Sequence, residues 1–193
     1  FTYTATNAAG TSTAATVSIT VTAPTLSLTP STLSAGTVAA AYSATISASS
    51  GTAPYSYAVT VGSLPDGLTL NTATGELSGT PTADGTSNFT ITATDANSAT
   101  GTQAYSLVIG VQPVTANAVT TTVAANSSAN AITLNLTGGT ATSVAVATNA
   151  SHGTATASGT SITYTPTAGY SGADSFTYTA TNAAGTSTAA TVS

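Results

Sequence analysis

The only side chain of the sequence that suits proton transfer near neutral pH is His152. A hydrolytic triad would need this imidazole beside a nucleophilic serine and an orienting acid. Ser151 is adjacent, and Asp174 is the nearest acid along the chain. However, serine is abundant, and no nucleophile-elbow motif surrounds Ser151. We therefore expect His152 to be an exposed turn residue and the protein not to be an enzyme.

Oxygen ligands for calcium are suggested by Asp95 and Asn97, which stand two residues apart. The competing interpretation is that the aspartates accept backbone N–H groups in turns, because each lies in a segment rich in turn residues. The aspartates concerned are Asp66, Asp84, Asp95 and Asp174. With so few acids available, we favour turn capping, and calcium at Asp95 and Asn97 is the alternative. No other cofactor is expected.

Two aromatic pairs could form a sugar-binding surface. Tyr55 and Tyr57 are two residues apart, as are Phe176 and Tyr178, and this spacing places each pair on one face of a strand. The same spacing is that of core positions. Because the sequence offers few other large apolar side chains, we expect these aromatics to pack in the core.

The charge of the chain excludes several classes of partner. There is no Lys or Arg, and the five acids give a net charge of -5. Nucleic-acid binding and attraction to anionic membranes both require cations, and no apolar run is long enough to span a bilayer. No acid can pair with a cationic side chain within the chain. Because a buried, unpaired carboxylate is costly, we expect most of the acids to be exposed.

Apolar and polar residues alternate along much of the chain, as in half-buried strands. Clear examples are the runs 1–5, 17–21, 89–93 and 105–109. Segments rich in Gly and Asn separate the runs, and no amphipathic helix is evident. The pattern predicts an all-β protein built as β-sandwiches.

An internal repeat organises the chain. Residues 1–18 recur letter for letter at 176–193, so the sequence holds one period of a long repeat and part of another. We expect two sandwich modules, at 23–111 and 112–193, the last strand of the second being incomplete. Residues 1–22 are then the closing β-hairpin of the preceding repeat's second module.

Two strings resemble known families. Residues 62–70 (GSLPDGLTL) with 74–81 (TGELSGTP) resemble an immunoglobulin-like family of bacterial surface proteins. Residues 164–178 (YTPTAGYSGADSFTY) are similar to a signature of bacterial Ig-like and cadherin-like tandem repeats. The resemblance implies Ig-like β-sandwich modules strung in a repeat array within large surface or matrix proteins, and it supplies no active site.

These observations predict a structural repeat unit of an extracellular bacterial fibre, sheath or giant surface protein. The alternative is an adhesin domain that binds glycan or protein on another surface. Natural sheets protect their edges with Lys and other charges, and this chain has almost none, so we expect the chain to partner with itself through strand pairing. The predicted self-assembly residues are Phe1, Tyr3, Val17, Ile19 and Val21.

Overall fold

The computed structural model describes residues 1–193 and contains no helix. The chain forms 22 β-strands, which confirms the all-β prediction. Two separate hydrophobic cores are present, one among residues 26–109 and the other among residues 114–192. No helix long and apolar enough to cross a membrane occurs in the structure.

Residues 1–16 form a narrow strand pair, which is followed by residues 17–22 in no strand, and the whole segment 1–22 is here called the N-terminal hairpin. Its strands are β1 (Thr2–Tyr3), β2 (Thr6–Asn7), β3 (Gly10–Thr11) and β4 (Ala15–Thr16). Strand β1 pairs antiparallel with β4, and β2 with β3. No strand of residues 23–193 pairs with the hairpin.

The first module contains nine strands. They are β5 (Ser27–Thr29), β6 (Gly36–Thr37), β7 (Tyr42–Thr45), β8 (Ser47–Ser49), β9 (Ser56–Gly62), β10 (Leu68–Leu70), β11 (Glu76–Gly79), β12 (Gly85–Thr94) and β13 (Thr100–Gly110). A four-stranded sheet has the order β6-β13-β12-β9, and a three-stranded sheet has the order β10-β11-β7, while β5 pairs with β8. Alternate residues of β12 and β13 are buried, as the period of two predicts.

The second module also contains nine strands. They are β14 (Val114–Asn117), β15 (Asn130–Ile132), β16 (Asn135–Gly138), β17 (Ser143–Thr148), β18 (Gly153–Ser158), β19 (Ser161–Pro166), β20 (Phe176–Asn182), β21 (Gly185–Thr186) and β22 (Ala190–Val192). Strand β20 pairs with β17 on one side and with β21 and β22 on the other. The other sheets are β15-β19-β18 and β14-β16.

Threonine hydroxyls form hydrogen-bonded pairs across neighbouring strands. The oxygen–oxygen distances are 2.8 Å for Thr60 and Thr92, 2.6 Å for Thr148 and Thr177, and 2.8 Å for Thr181 and Thr186. Cross-strand pairs of this kind stabilise a sheet without charge. No buried side-chain nitrogen or oxygen lacks a hydrogen-bond partner. The fold therefore rests on apolar burial and on hydrogen bonds that are mostly between neutral groups.

Candidate functional site

The His152 region is organised around the carboxylate of Asp174. This carboxylate accepts hydrogen bonds from the backbone N–H of Ser151 and His152, at 3.0 Å each, and from Ser175 N–H at 2.9 Å. The Tyr164 hydroxyl donates a fourth hydrogen bond at 2.6 Å. The carboxylate therefore ties the turn around His152 to strand β19 and to the start of β20.

The imidazole of His152 is not arranged for catalysis. Its Nδ1 lies 3.9 Å from the nearer Asp174 oxygen, beyond hydrogen-bond distance. The ring is half-exposed and stacks on Tyr170, with 4.1 Å between centroids. No hydrogen bond joins a serine hydroxyl to the imidazole. The acid binds the backbone of the turn instead of orienting a base for a nucleophile.

The pKa values of this cluster follow from the same contacts. Burial by itself raises the pKa of Asp174, but the Tyr164 hydroxyl and the three backbone N–H groups stabilise the anion, and the net pKa is lowered. Burial and the negative charge of Asp174 raise the pKa of Tyr164 to about 12. At neutral pH the pair is therefore a carboxylate held by a neutral phenol.

The Asp95 turn closes strands β12 and β13 of the first module. The two oxygens of Asp95 accept backbone N–H groups of Thr52 at 2.9 Å, Asn97 at 2.9 Å and Ala99 at 2.8 Å. The Asn97 side chain is a donor here, with Nδ2 lying 3.0 Å from Thr52 Oγ1. The carboxylate therefore holds the loop that contains Thr52 against the turn between β12 and β13.

Asp95 corrects the expectation that the acids are mostly exposed. Its side chain is buried, because three N–H donors replace the water that the anion loses. The hydrogen bond from Thr52 is the largest cause that lowers the pKa of Asp95, while burial opposes it and the other two N–H groups assist. Turn capping holds for Asp95 and Asp174. Asp66 and Asp84 are exposed, and their side chains make no hydrogen bond.

The calcium alternative at Asp95 and Asn97 stays a prediction. Both Asp95 oxygens already face N–H donors, whose partial positive charge opposes a cation at the same atoms. Three or more His, Cys, Asp or Glu residues do not cluster anywhere in the structure. A calcium ion here would have to displace the hydrogen bonds that shape the turn.

The aromatic pairs lie where core packing places them. Tyr57, Phe176 and Tyr178 are buried, and Tyr55 packs against the first core. The Tyr57 hydroxyl accepts the N–H of Ala48 at 3.0 Å. The three buried rings have no free face for stacking on a sugar ring, and Tyr55 is partly buried.

The predicted self-assembly residues lie on the N-terminal hairpin. Phe1, Tyr3, Ile19 and Val21 are exposed, and Val17 is partly buried. Elsewhere in the chain only two large hydrophobic side chains are exposed, those of Val61 and Val108. Most of the exposed large hydrophobic side chains therefore lie within residues 1–21, and the role of these residues in self-assembly stays a prediction.

A cavity in the second module is the feature that sequence reasoning missed. It has a volume of about 370 Å³ and is lined in part by Val123, Ile132, Tyr164, Phe176 and Val192. It lies beside Ser193, where β22 runs parallel to residues 119–121. The residues that line it come from separate segments of the chain, so no local sequence pattern indicates it.

Two family models match adjacent parts of the chain. The model described as "Putative Ig domain" matches residues 24–110, and the model described as "Bacterial Ig domain" matches residues 111–193. The chain is a tandem of two Ig-like domains. This confirms the resemblance inferred from the strings at 62–81 and 164–178. No match was found among curated proteins.

Solved structures similar to the Ig-like tandem share little sequence with it. A "putative alpha-galactosidase" from Bacteroides fragilis is 23% identical over 53% of this chain and 22% of that protein, with a TM-score of 0.40. The protocadherin GammaB4 extracellular domain is 14% identical over 88% of this chain and 34% of that protein, with a TM-score of 0.42. The tandem thus spans about a third or less of their length. Likenesses this distant carry no argument about function.

Proposed function

We propose that the Ig-like tandem is a structural repeat unit of an extracellular bacterial fibre, sheath or giant surface protein. The observation that carries the proposal is the recurrence of residues 1–18 at 176–193 within a chain of two Ig-like domains. A unit that recurs along a chain builds length by repetition.

The composition supports this role. The only approach between a basic and an acidic side chain is that of His152 to Asp174, whose nearest atoms lie 3.9 Å apart. Cys and Met are absent, so the chain lacks the side chains that oxidise most readily. Stability that rests on apolar packing and on hydrogen bonds mostly between neutral groups suits a material exposed to variable salt outside the cell. The His152 region, bound to the backbone through Asp174, gives no support to an enzymatic role.

Immunogold electron microscopy of the producing cells tests the proposal. Antibodies raised against the 193-residue chain are expected to label external fibres or the cell surface at regular intervals. Labelling confined to the cell interior would reject the proposal.

The adhesin alternative has one observation in its favour. The cavity near Tyr170 and Asp174 combines apolar walls with polar groups, as ligand sites commonly do. A glycan array probed with the chain tests it. Specific binding that is lost on Tyr170→Ala would favour the adhesin, and an array without specific binding would reject it.

A further inference from the structure

Four Asn-x-Ser/Thr tripeptides, or sequons, occur in the chain, and each begins with an exposed asparagine. They are Asn88-Phe89-Thr90, Asn126-Ser127-Ser128, Asn135-Leu136-Thr137 and Asn149-Ala150-Ser151. The tripeptide is the acceptor for N-linked oligosaccharides in chains that leave the cytoplasm. Because the sequence is rich in Asn, Ser and Thr, the tripeptide alone is a weak signal, and the structural setting of each sequon has to distinguish the four.

The asparagines outside the sequons all use their side-chain amides within the fold. Those with at least one side-chain hydrogen bond are Asn7, Asn71, Asn97, Asn117, Asn130 and Asn182. Within the sequons only Asn126 does so, by accepting the N–H of Gly169 at 2.8 Å. The side chains of Asn88, Asn135 and Asn149 are exposed and make no hydrogen bond. These three sequons therefore present an amide that can be modified without loss of a contact in the fold.

Backbone pairing holds two of these three sequons in strands. Asn88 lies within β12, in register with Ser106 of β13. Asn135 lies within β16, where its C=O accepts Asn117 Nδ2 at 3.2 Å, and the same Nδ2 donates to the Thr137 hydroxyl at 3.1 Å. The first and third residues of a sequon in a strand are about 7 Å apart, and a transferase that binds both side chains beside one sugar needs the segment bent. Bending either strand would leave paired backbone groups without partners.

The sequon at 149–151 lies in the loop between β17 and β18 and is free of such pairing. No backbone–backbone hydrogen bond involves Asn149 or Ala150. The hydroxyl of Ser151 makes no hydrogen bond, and only its backbone N–H is held, by Asp174 at 3.0 Å. This loop therefore combines a free amide, a free hydroxyl and an unpaired backbone.

The same loop joins two strands that lie at the edges of their sheets. Strand β17 is at one end of the order β17-β20-β21, and β18 is at one end of the order β15-β19-β18. Neither strand contains a charged residue or a proline, although such residues commonly protect natural sheet edges. An oligosaccharide beside these strands is bulky and well hydrated, so it would keep another chain from pairing with either edge.

We propose that Asn149 is the acceptor of an N-linked oligosaccharide. The donor is an oligosaccharide carried on a polyprenyl diphosphate, and a transferase of the producing cell binds both substrates. The Nδ2 atom of Asn149 forms a bond to the anomeric carbon, while the bond from that carbon to the diphosphate oxygen breaks. The polyprenyl diphosphate leaves with the bonding electrons, and Nδ2 loses one proton to the transferase. The proposal rests on the extracellular location of the proposed function and adds a modification site to it.

Peptide mapping of the native material tests the proposal. Because the chain has no Lys or Arg, trypsin does not cut it, and elastase is used instead. Mass spectrometry with electron-transfer fragmentation is expected to find the added sugar mass on Asn149 in most copies, with Asn88 and Asn135 mostly unmodified. An unmodified Asn149 would overturn the proposal. Equal occupancy of the three asparagines would overturn the selection of one sequon by the fold.

Variants expressed in the producing cell separate the sequon from the fold. Asn149→Gln and Ser151→Ala should each lose the sugar mass, whereas Ser151→Thr should retain it. Asn88→Gln is the matched control and should leave the sugar mass unchanged. Because the Asn149 side chain makes no hydrogen bond, Asn149→Gln and wild type should unfold at the same urea concentration when both are produced in a host without the transferase. Retention of the sugar mass in Ser151→Ala would overturn the proposal.

Shielding of the edges of β17 and β18 is measured by light scattering. Glycosylated wild type should aggregate several-fold more slowly than Asn149→Gln, and equal rates would overturn the shielding. Immunogold labelling at the cell surface together with an unmodified Asn149 would overturn the modification site and leave the structural role intact. Failure of the site can therefore be distinguished from failure of the structural role.

Discussion

Replacing Tyr178, and separately its counterpart Tyr3, tests whether surroundings alone distinguish the two copies of the hairpin. Tyr178 is fully buried, and its hydroxyl donates to Asn117 O at 2.8 Å. Removing a buried aromatic side chain of this size to alanine costs about 3–5 kcal/mol of unfolding free energy. Tyr3 is exposed and makes no side-chain hydrogen bond, so Tyr3→Ala should change stability by less than about 0.5 kcal/mol.

The hydroxyl contribution can be isolated with phenylalanine. Tyr178→Phe keeps the ring and removes the donor to Asn117 O, which should lower the unfolding free energy by about 1 kcal/mol because a part-buried hydrogen bond is lost. Tyr3→Phe should leave the unfolding free energy unchanged. Wild type is therefore expected to be the most stable, Tyr178→Phe less stable and Tyr178→Ala the least stable. Both Tyr3 variants should be as stable as wild type.

Native-state hydrogen exchange at low protein concentration is the appropriate assay, because the two domains can unfold separately and a single melting curve would merge them. Amides of the second domain should lose protection in the Tyr178 variants, while those of the first domain should not change. Equal losses for Tyr3→Ala and Tyr178→Ala would refute the reasoning, as would a Tyr178→Ala chain within about 0.5 kcal/mol of wild type.

Three other perturbations follow from the carboxylates and the charge. The pKa values of Asp95 and Asp174 are lowered in the folded state, so the stabilisation by these carboxylates is fully present above the unfolded pKa of 3.8 and is lost as pH falls through the lower folded pKa. The unfolding free energy measured in urea should therefore be constant above about pH 5 and decline below about pH 4. The decline should be smaller in Asp95→Asn, which has one such carboxylate fewer. If Asp95 caps its turn, thermal melting with calcium and with chelator should coincide, and a rise in Tm with calcium would instead support a metal site at Asp95 and Asn97. Without Lys or Arg, the urea midpoint should hardly move between low and high NaCl, and a marked salt dependence would reveal a charge interaction that the structure does not contain.

The all-β fold and the Ig-like modules could be predicted because their signals are local or repeated. Apolar and polar residues that alternate with a period of two indicate strands such as β12 and β13. The strings at 62–81 and 164–178 carry the family resemblance. The core positions of Tyr57 and Tyr178 followed from the same alternation. These inferences need no knowledge of which distant segments meet.

The partners of Asp95 and Asp174 could not be predicted, because most of them are backbone N–H groups. Thr52 lies 43 positions from Asp95, and nothing in its side chain indicates that its N–H caps the carboxylate. The contact between Asp174 and the turn at Ser151 is similarly distant, at 23 positions. Backbone donors are the same for almost every residue type, so they leave no trace in a sequence.

The strand partner of residues 1–22 in the native material tests the central claim most directly. Cryo-electron microscopy of that material should show a continuous array of paired Ig-like domains in which Phe1 and Tyr3 are buried against the preceding repeat. Density in which residues 1–22 have no strand partner, or discrete particles without a repeating array, would contradict the account.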